Sequence, residues 1–159
     1  MWPDSVERVA GFLRSAGAEA RVEEFAEGTP SAQDAARAVG CDLSQIVKSL
    51  VFDCDGRAAL VLAPGDTRVD RRKVAVAAGC SRAQIVGAAD VERLTGFTPG
   101  AVAPFPLPQI DRVYIDQTLL QHRIVWIGAG SEHHLAALAP AELARLSRAR
   151  AVDVLDETS

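Results

Sequence analysis

The chain has 159 residues, which is enough for one ordinary domain with a substantial core. A composition of 48% hydrophobic and 24% charged residues is typical of a globular protein, and a net charge of -4 argues against a broad basic groove for nucleic acid. Three cysteines without a CxxC pair favour neither a disulfide framework nor a zinc ribbon, and no segment predicts an export signal or a membrane span. We therefore expect one cytosolic domain over residues 1–159.

Helical spacing of apolar residues predicts a first helix, with Asp4 or Ser5 as its cap and Gly17 after its end. A weakly alternating stretch then predicts a strand. Ser31, followed three residues later by Asp34, predicts the capped start of an Ala-rich second helix.

The clearest hairpin lies in residues 46–66, "IVKSLVFDCDGRAALVLAPGD", where two apolar runs are joined by the turn-forming "DCDG". After it, "TRVDRRKVAVAAG" predicts a helix, "AQIVGA" a short strand, and "DVERLTG" a helix that ends at Gly96. Residues 95–109, "TGFTPGAVAPFPLPQ", contain four prolines and predict an ordered loop.

Beyond the loop, "DRVYID", "RIVWIGAG" and "HHLAALAP" predict strands, "AELARLSRA" a helix and "RAVDVL" a final strand. Strands and helices interleave without strict alternation. This order predicts an α/β protein of the α+β type, a mixed sheet or partial barrel surrounded by helices.

Lys48 interrupts an apolar strand. Period-2 placement puts it on one face with Ile46, Leu50 and Phe52. An unpaired buried ammonium is costly, so the side chain must extend to the sheet edge, pair with a carboxylate, or face a solvated pocket. The pattern leaves two readings open: an edge lysine, or a pocket cation for a phosphate, carboxylate or oxyanion.

Two glycine-containing segments are further candidates. "GAVAP", residues 100–104, is either a stiff surface turn or a loop whose backbone approaches a ligand. "GAGS", residues 128–131, is either a turn between strands or a nest of amides for an anion. The adjacent His133 and His134 would point to opposite faces of a strand and cannot bind one metal ion together.

Three stretches resemble, in order and at similar separations, the YbaK/ProX family of aminoacyl-tRNA editing domains, which occur free-standing and within prolyl-tRNA synthetases. They are "TPSAQDAARAVGCDLSQIVKSLVF", "LTGFTPGAVAPF" and "VWIGAGSEHHLAAL". The resemblance implies a mixed sheet with helices around it, and hydrolysis of the ester of a mischarged tRNA with no metal, cofactor or covalent intermediate. It also implies that a ribose hydroxyl of the substrate assists proton transfer.

The resemblance implies a set of site residues. The catalytic candidates are Lys48, Gly100 and Gly130, and the substrate-binding candidates are Thr29, Ser49, Phe52, Pro104, Phe105, Gly128, Ala129 and Ser131. The expected partners are the 3′ end of an aminoacyl-tRNA, carrying a small amino acid such as Ala or Cys on tRNAPro or a related tRNA, and a prolyl-tRNA or other synthetase. No DNA or membrane partner is expected. The alternatives are an inactive tRNA- or synthetase-binding module and a small-molecule binding domain.

Overall fold

The computed structural model describes residues 2–158 of the chain. It contains five α-helices within that range, α1 (Asp4–Ser15), α2 (Ala32–Val39), α3 (Arg71–Ala78), α4 (Ala88–Thr95) and α5 (Pro140–Ser147). The strands are β1 (Arg21–Glu24), β2 (Val47–Cys54), β3 (Arg57–Pro64), β4 (Ala83–Ile85), β5 (Val113–Asp116), β6 (Val125–Gly128), β7 (His134–Leu138) and β8 (Arg150–Val152). Two short 3₁₀ helices, Leu43–Gln45 and Gln117–Gln121, were not predicted.

The strands form two sheets that do not close into a barrel. The larger sheet has the order β4-β2-β3-β5-β8, and the smaller has the order β1-β7-β6. In the larger sheet β2 is antiparallel to β3 and β4, whereas β3, β5 and β8 run parallel. The predicted mixed α/β fold is confirmed.

Local sequence signals explain the best-predicted elements. Ser31 accepts a hydrogen bond from the Asp34 amide at 3.1 Å, which caps α2. The hairpin turns at Asp55 and Gly56, whose φ values of 52° and 91° fit the tight turn that the sequence predicts.

The predicted cap of α1 is wrong. Pro3 precedes the helix, and no side chain caps it. The Ser5 hydroxyl instead donates to the carbonyl of Gly130 at 2.7 Å. The Ser5 side chain, which local spacing predicts as a cap, therefore bonds to a residue that is distant in sequence.

The proline-rich segment is an ordered loop, as predicted, because it contributes to the core. Phe97, Ala103 and Phe105 are at most 2% exposed. The Phe105 ring stacks on Phe12 of α1 with the ring centroids 4.8 Å apart. Burial of one such phenyl group stabilises a fold by about 2–3 kcal/mol, which is enough to fix a loop without regular hydrogen bonds.

Candidate active site

A cavity of about 260 Å³ lies where the start of α2, the first half of β2 and the proline-rich loop meet the end of β6. Among the described residues that line this cavity, Lys48 has the only charged side chain. The rest of the lining is largely aliphatic. The aliphatic side chains are those of Ala32, Ala35, Ile46, Val47, Leu50, Val102 and Leu135.

The cavity opens on an edge of β2 that is only partly covered. Among the described residues, β4 pairs with β2 only from Phe52 to Cys54. The Val86 amide donates to the Val51 carbonyl on that same edge. Peptide groups alternate in direction along a strand, so the N–H and C=O of Ser49 point to this edge too. Ser49, which lines the cavity, thus presents a main-chain donor and acceptor there.

The two faces of β2 are those that the sequence predicts. Val47 and Val51 pack in the main core, whereas Phe52 belongs to a second apolar cluster beneath α3. Lys48 is on the same face as Phe52 but near the start of the strand, where it is half-buried. It lines a groove together with Leu50 and Phe52, so its aliphatic stem borders the second cluster, while its ammonium reaches the Thr67 carbonyl.

The Lys48 ammonium donates a hydrogen bond to the carbonyl of Thr67. An ammonium has three donors, so two remain for a ligand. Desolvation lowers the pKa of Lys48 below its usual value, while Asp66 raises it and Arg68 lowers it. The structure thus combines the two readings of the sequence, because this edge lysine also lines a cavity.

Ser49 and Thr29 contribute hydroxyl groups with different surroundings. The Ser49 hydroxyl is buried and has no hydrogen-bond partner among residues 2–158. An unsatisfied buried polar group costs about 1–3 kcal/mol, and a ligand that bonds to it would remove that cost. Thr29 is 6% exposed, and its hydroxyl donates to the carbonyl of Glu132 at 3.1 Å. Thr29 therefore holds the segment that precedes α2 against the turn that contains Glu132.

Gly100 and Gly128 allow the proline-rich loop to lie close to the cavity wall. A Cβ on Gly128 would come within 2.9 Å of the Val102 carbonyl oxygen. Gly100 has a φ of +84°, and a Cβ there would lie 3.9 Å from the Pro30 carbonyl oxygen. A side chain at position 128 would push the loop away, and one at position 100 would strain its backbone.

The cavity brings together five of the eleven predicted site residues. They are Thr29, Lys48, Ser49, Gly100 and Gly128. Pro104 and Phe105 line a separate depression beside Phe12, where their side chains serve packing. Phe52 is 3% exposed and borders a groove on the other side of Lys48.

The turn after β6 faces α1 rather than the cavity. A Cβ on Gly130 would lie 2.6 Å from the carbonyl oxygen of Ser5. Ala129 is fully buried in the main core. The Gly-Ala-Gly-Ser pattern indicates a turn with accessible amides, but it does not say which neighbour the turn meets.

Ser131 is held within the same turn. Its hydroxyl accepts from the His133 amide at 2.9 Å and lies 2.6 Å from Nδ1 of His134. His134 is 2% exposed, and its Nε2 lies 3.7 Å from a carboxylate oxygen of Glu24. Burial lowers the pKa of His134, whereas Glu24 raises it and His133 lowers it.

We expect acid to destabilise the fold through His134. Because its pKa is lower in the folded protein than the ordinary value of about 6.5, the folded state binds fewer protons than the unfolded state. Stability should therefore fall as the pH drops below about 6.5. His134→Asn, which keeps an acceptor for Ser131, should give a flatter melting-temperature profile between about pH 8 and pH 5.

His122→Asn is the matched control, since His122 lies outside this turn at the end of a 3₁₀ helix. It should keep the wild-type slope. Equal slopes in wild type and His134→Asn would show that His134 is not the source of the acid destabilisation.

Several cavity residues were not singled out from the sequence. Ala32 and Ala35 come from the Ala-rich helix, whose small side chains leave room beside β2. Leu135 comes from β7. The helix was part of a quoted motif, but only its packing against β2 shows which alanines face the cavity.

Residues 2–158 provide neither a metal-binding cluster nor a membrane-spanning helix. Residues 2–158 contain no group of three or more His, Cys, Asp or Glu side chains placed to hold a metal ion. None of the helices in that range is both long and apolar enough to cross a membrane.

The sequence profile of the aminoacyl-tRNA editing domain matches residues 26–146, which include every element that lines the cavity. The chain belongs to this family. This editing domain is similar to a crystal structure described as a proposed trans-editing enzyme for prolyl-tRNA synthetase. The two have 34% sequence identity and a TM-score of 0.91, over 98% of this chain and 99% of the other.

Two relatives match this editing domain over similar lengths. The uncharacterised protein YwhH of Bacillus subtilis (strain 168) is 33% identical over 127 residues, which cover 79% of this chain and 80% of YwhH. EbsC of Enterococcus faecalis (strain ATCC 700802 / V583), named as a proposed Cys-tRNA(Pro)/Cys-tRNA(Cys) deacylase, is 25% identical over 134 residues, 82% of each chain. The predicted family is confirmed, and it supports an aminoacyl-tRNA hydrolase activity.

Proposed function

We propose that this editing domain hydrolyses, in trans, the ester of tRNAPro mischarged with Ala or Cys. The observation that carries the proposal is the small cavity at the partly covered edge of β2, with the Lys48 ammonium at its wall. The names of EbsC and of the similar trans-editing enzyme support the choice of tRNA.

The size of the cavity favours a small amino acid. Pockets for drug-sized ligands measure about 300–1,000 Å³, whereas this one measures about 260 Å³. An aminoacyl group with the edge of a ribose fits such a volume better than a whole nucleotide. The aliphatic lining from Ala32, Ala35 and Leu135 suits a short neutral side chain.

A second site of this kind has a physical purpose. One methylene group in a hydrophobic pocket changes binding by only about 1–3 kcal/mol, so a synthetase cannot fully reject smaller amino acids. A separate hydrolytic cavity that admits only small side chains removes those errors. Discrimination then depends on the cavity volume.

The proposed chemistry needs little machinery because an aminoacyl ester is already activated. A water molecule attacks the ester carbonyl carbon, the C–O bond to the ribose breaks, and the ribose oxygen takes a proton. The products are the free amino acid and uncharged tRNA. Lys48 would stabilise the charge that develops on the carbonyl oxygen, and the main-chain amide of Ser49, which points to the same edge of β2, would help to orient the ester.

The partner and the place of action follow from the proposed substrate. Acting in trans, this editing domain would hydrolyse mischarged tRNA released by a prolyl-tRNA synthetase, in the cytoplasm where tRNA is charged.

A deacylation panel tests the proposal. The protein is incubated with Ala-tRNAPro, Cys-tRNAPro, Pro-tRNAPro and Ala-tRNAAla, and the loss of each ester is followed against a reaction without protein. We expect Ala-tRNAPro or Cys-tRNAPro to lose its ester at least about tenfold faster than Pro-tRNAPro. If no ester is lost above the spontaneous rate, while tRNA or the synthetase still binds, the protein is a non-catalytic module.

A further inference from the structure

A second, open groove adjoins the cavity on the far side of Lys48. Its volume is about 670 Å³, and Lys48 and Leu50 line both it and the cavity. Residues 67–72, which lead into α3, form much of its wall. The ester chemistry proposed for the cavity does not account for this groove.

The groove is basic, although the chain as a whole has a net charge of -4. Both of its carboxylates are already engaged within the protein. Asp70 accepts a hydrogen bond from the Arg72 amide at 2.9 Å, and Asp156 accepts one from the Thr158 amide at 2.9 Å. The charged residues that line it are Lys48, Arg68, Arg71, Arg72, Asp70 and Asp156.

The positive charges of Arg71 and Arg72 are not paired with a carboxylate among residues 2–158. Both side chains are exposed, and neither forms an ion pair with another residue in the range 2–158. They lie in the first turn of α3, where the helix dipole disfavours positive charge. A guanidinium group without an internal partner is suited to bind a phosphate through two hydrogen bonds.

The groove also has an apolar side. Ile85 on the edge strand β4 is 61% exposed and lines the groove together with Leu50. Sites for single-stranded nucleic acid combine cations that follow the phosphates with aromatic side chains on which bases stack. This groove supplies the cations and, in Ile85, apolar surface for a base, whereas its aromatic residue Phe52 is only 3% exposed.

We propose that this groove binds the phosphodiester backbone of the single-stranded RNA leading to the esterified nucleotide, with Arg71 and Arg72 as phosphate ligands. The inference rests on the proposed function for its direction. The aminoacyl ester and the edge of the terminal ribose enter the cavity, Lys48 lies at the junction, and the preceding nucleotides follow the groove towards α3. This groove would give a protein of negative net charge a local basic surface that binds tRNA.

Binding of an RNA acceptor-stem hairpin that ends in single-stranded CCA tests the groove directly. The dissociation constant is measured by fluorescence anisotropy from about 20 to 200 mM salt. Arg71→Gln/Arg72→Gln should weaken binding at least about fivefold at low salt, and should reduce the slope of log Kd against log salt by about 1.4, which is about 0.7 for each lost phosphate contact.

The matched control is Arg14→Gln/Arg93→Gln, which removes the same charge from α1 and α4, outside the groove. It should retain the wild-type affinity and slope. Equal weakening in both double variants would show a generic charge effect and overturn the proposal, as would unchanged binding by Arg71→Gln/Arg72→Gln or no binding by the wild type. Since the substitutions remove cations from a helix N-terminus, melting temperatures should not fall.

Kinetics separate this groove from the proposed active site. Arg71→Gln/Arg72→Gln should raise KM for the mischarged tRNA, yet leave kcat/KM unchanged for the corresponding 3′-aminoacyl-adenosine, which lacks phosphates. Equal losses on both substrates would overturn the groove and keep the deacylase. If the wild type hydrolyses neither substrate, the proposed function fails, and the hairpin measurement still decides the groove.

Discussion

Lys48→Ala should reduce kcat/KM for a mischarged tRNA by about 100- to 1,000-fold, the usual cost of removing one group that stabilises a developing oxyanion. Lys48 is the charged side chain in the lining of the cavity, and one of its donors is already used to hold it against Thr67. The remaining donors would meet the ester. Single-turnover deacylation measures the effect on the chemical step.

Two further variants make the result specific. Lys48→Met keeps the aliphatic stem that borders the second cluster and should be as inactive as Lys48→Ala, because the charge is lost in both. Lys73→Ala removes the only other lysine of the chain, which pairs with Asp153 outside the cavity, and should retain activity. Wild-type rates in Lys48→Met would contradict an electrostatic role.

The folded state of the Lys48 variants should be intact. Desolvation already disfavours the Lys48 ammonium. Its removal therefore relieves the free-energy cost of burying the charge, although it also breaks one hydrogen bond. Unchanged melting temperatures would exclude unfolding as the cause of inactivity.

Gly130→Ala should lower the free energy of unfolding by about 3 kcal/mol or more. Gly130 has a φ of +100°, and an added Cβ would lie 2.6 Å from the Ser5 carbonyl oxygen. Relief of that contact requires α1 to shift away from the turn, which would also break the bond from the Ser5 hydroxyl. Urea unfolding measures the loss.

Gly17→Ala is the matched control, since Gly17 has a φ of +64° and a Cβ there would meet nothing within 4 Å. Only the backbone preference is then lost, about 1 kcal/mol. Similar losses in the two variants would show that Gly130 matters for its φ alone and not for its contact with α1.

Local elements were the most predictable part of the molecule. The hairpin followed from two apolar runs on either side of the turn at Asp55 and Gly56, and α2 followed from Ser31 at its start and Gly40 at its end. These signals act between residues a few positions apart, so the sequence contains both partners of each interaction in one short window. The cap of α1 was mispredicted because its interaction is with distant Gly130.

The candidate site was predictable only in part. Lys48 attracted notice because a cation breaks the period-2 pattern of β2, and the loop around Gly100 because of its prolines. That these two segments line one cavity was implied by the family resemblance. Periodicity could not show it, since it gives the face of a residue but not the neighbour across that face.

By itself, the sequence determined the mixed α/β class, the order of the α-helices and strands, the family, and Lys48 as the residue in need of explanation. The tertiary structure decided that Gly128 faces the cavity while Gly130 faces α1, although only two positions separate them. It also placed Arg71 and Arg72 in the same groove as Lys48. The physical reason is that such contacts depend on how helices and loops pack across sheet edges, where residues distant in sequence meet.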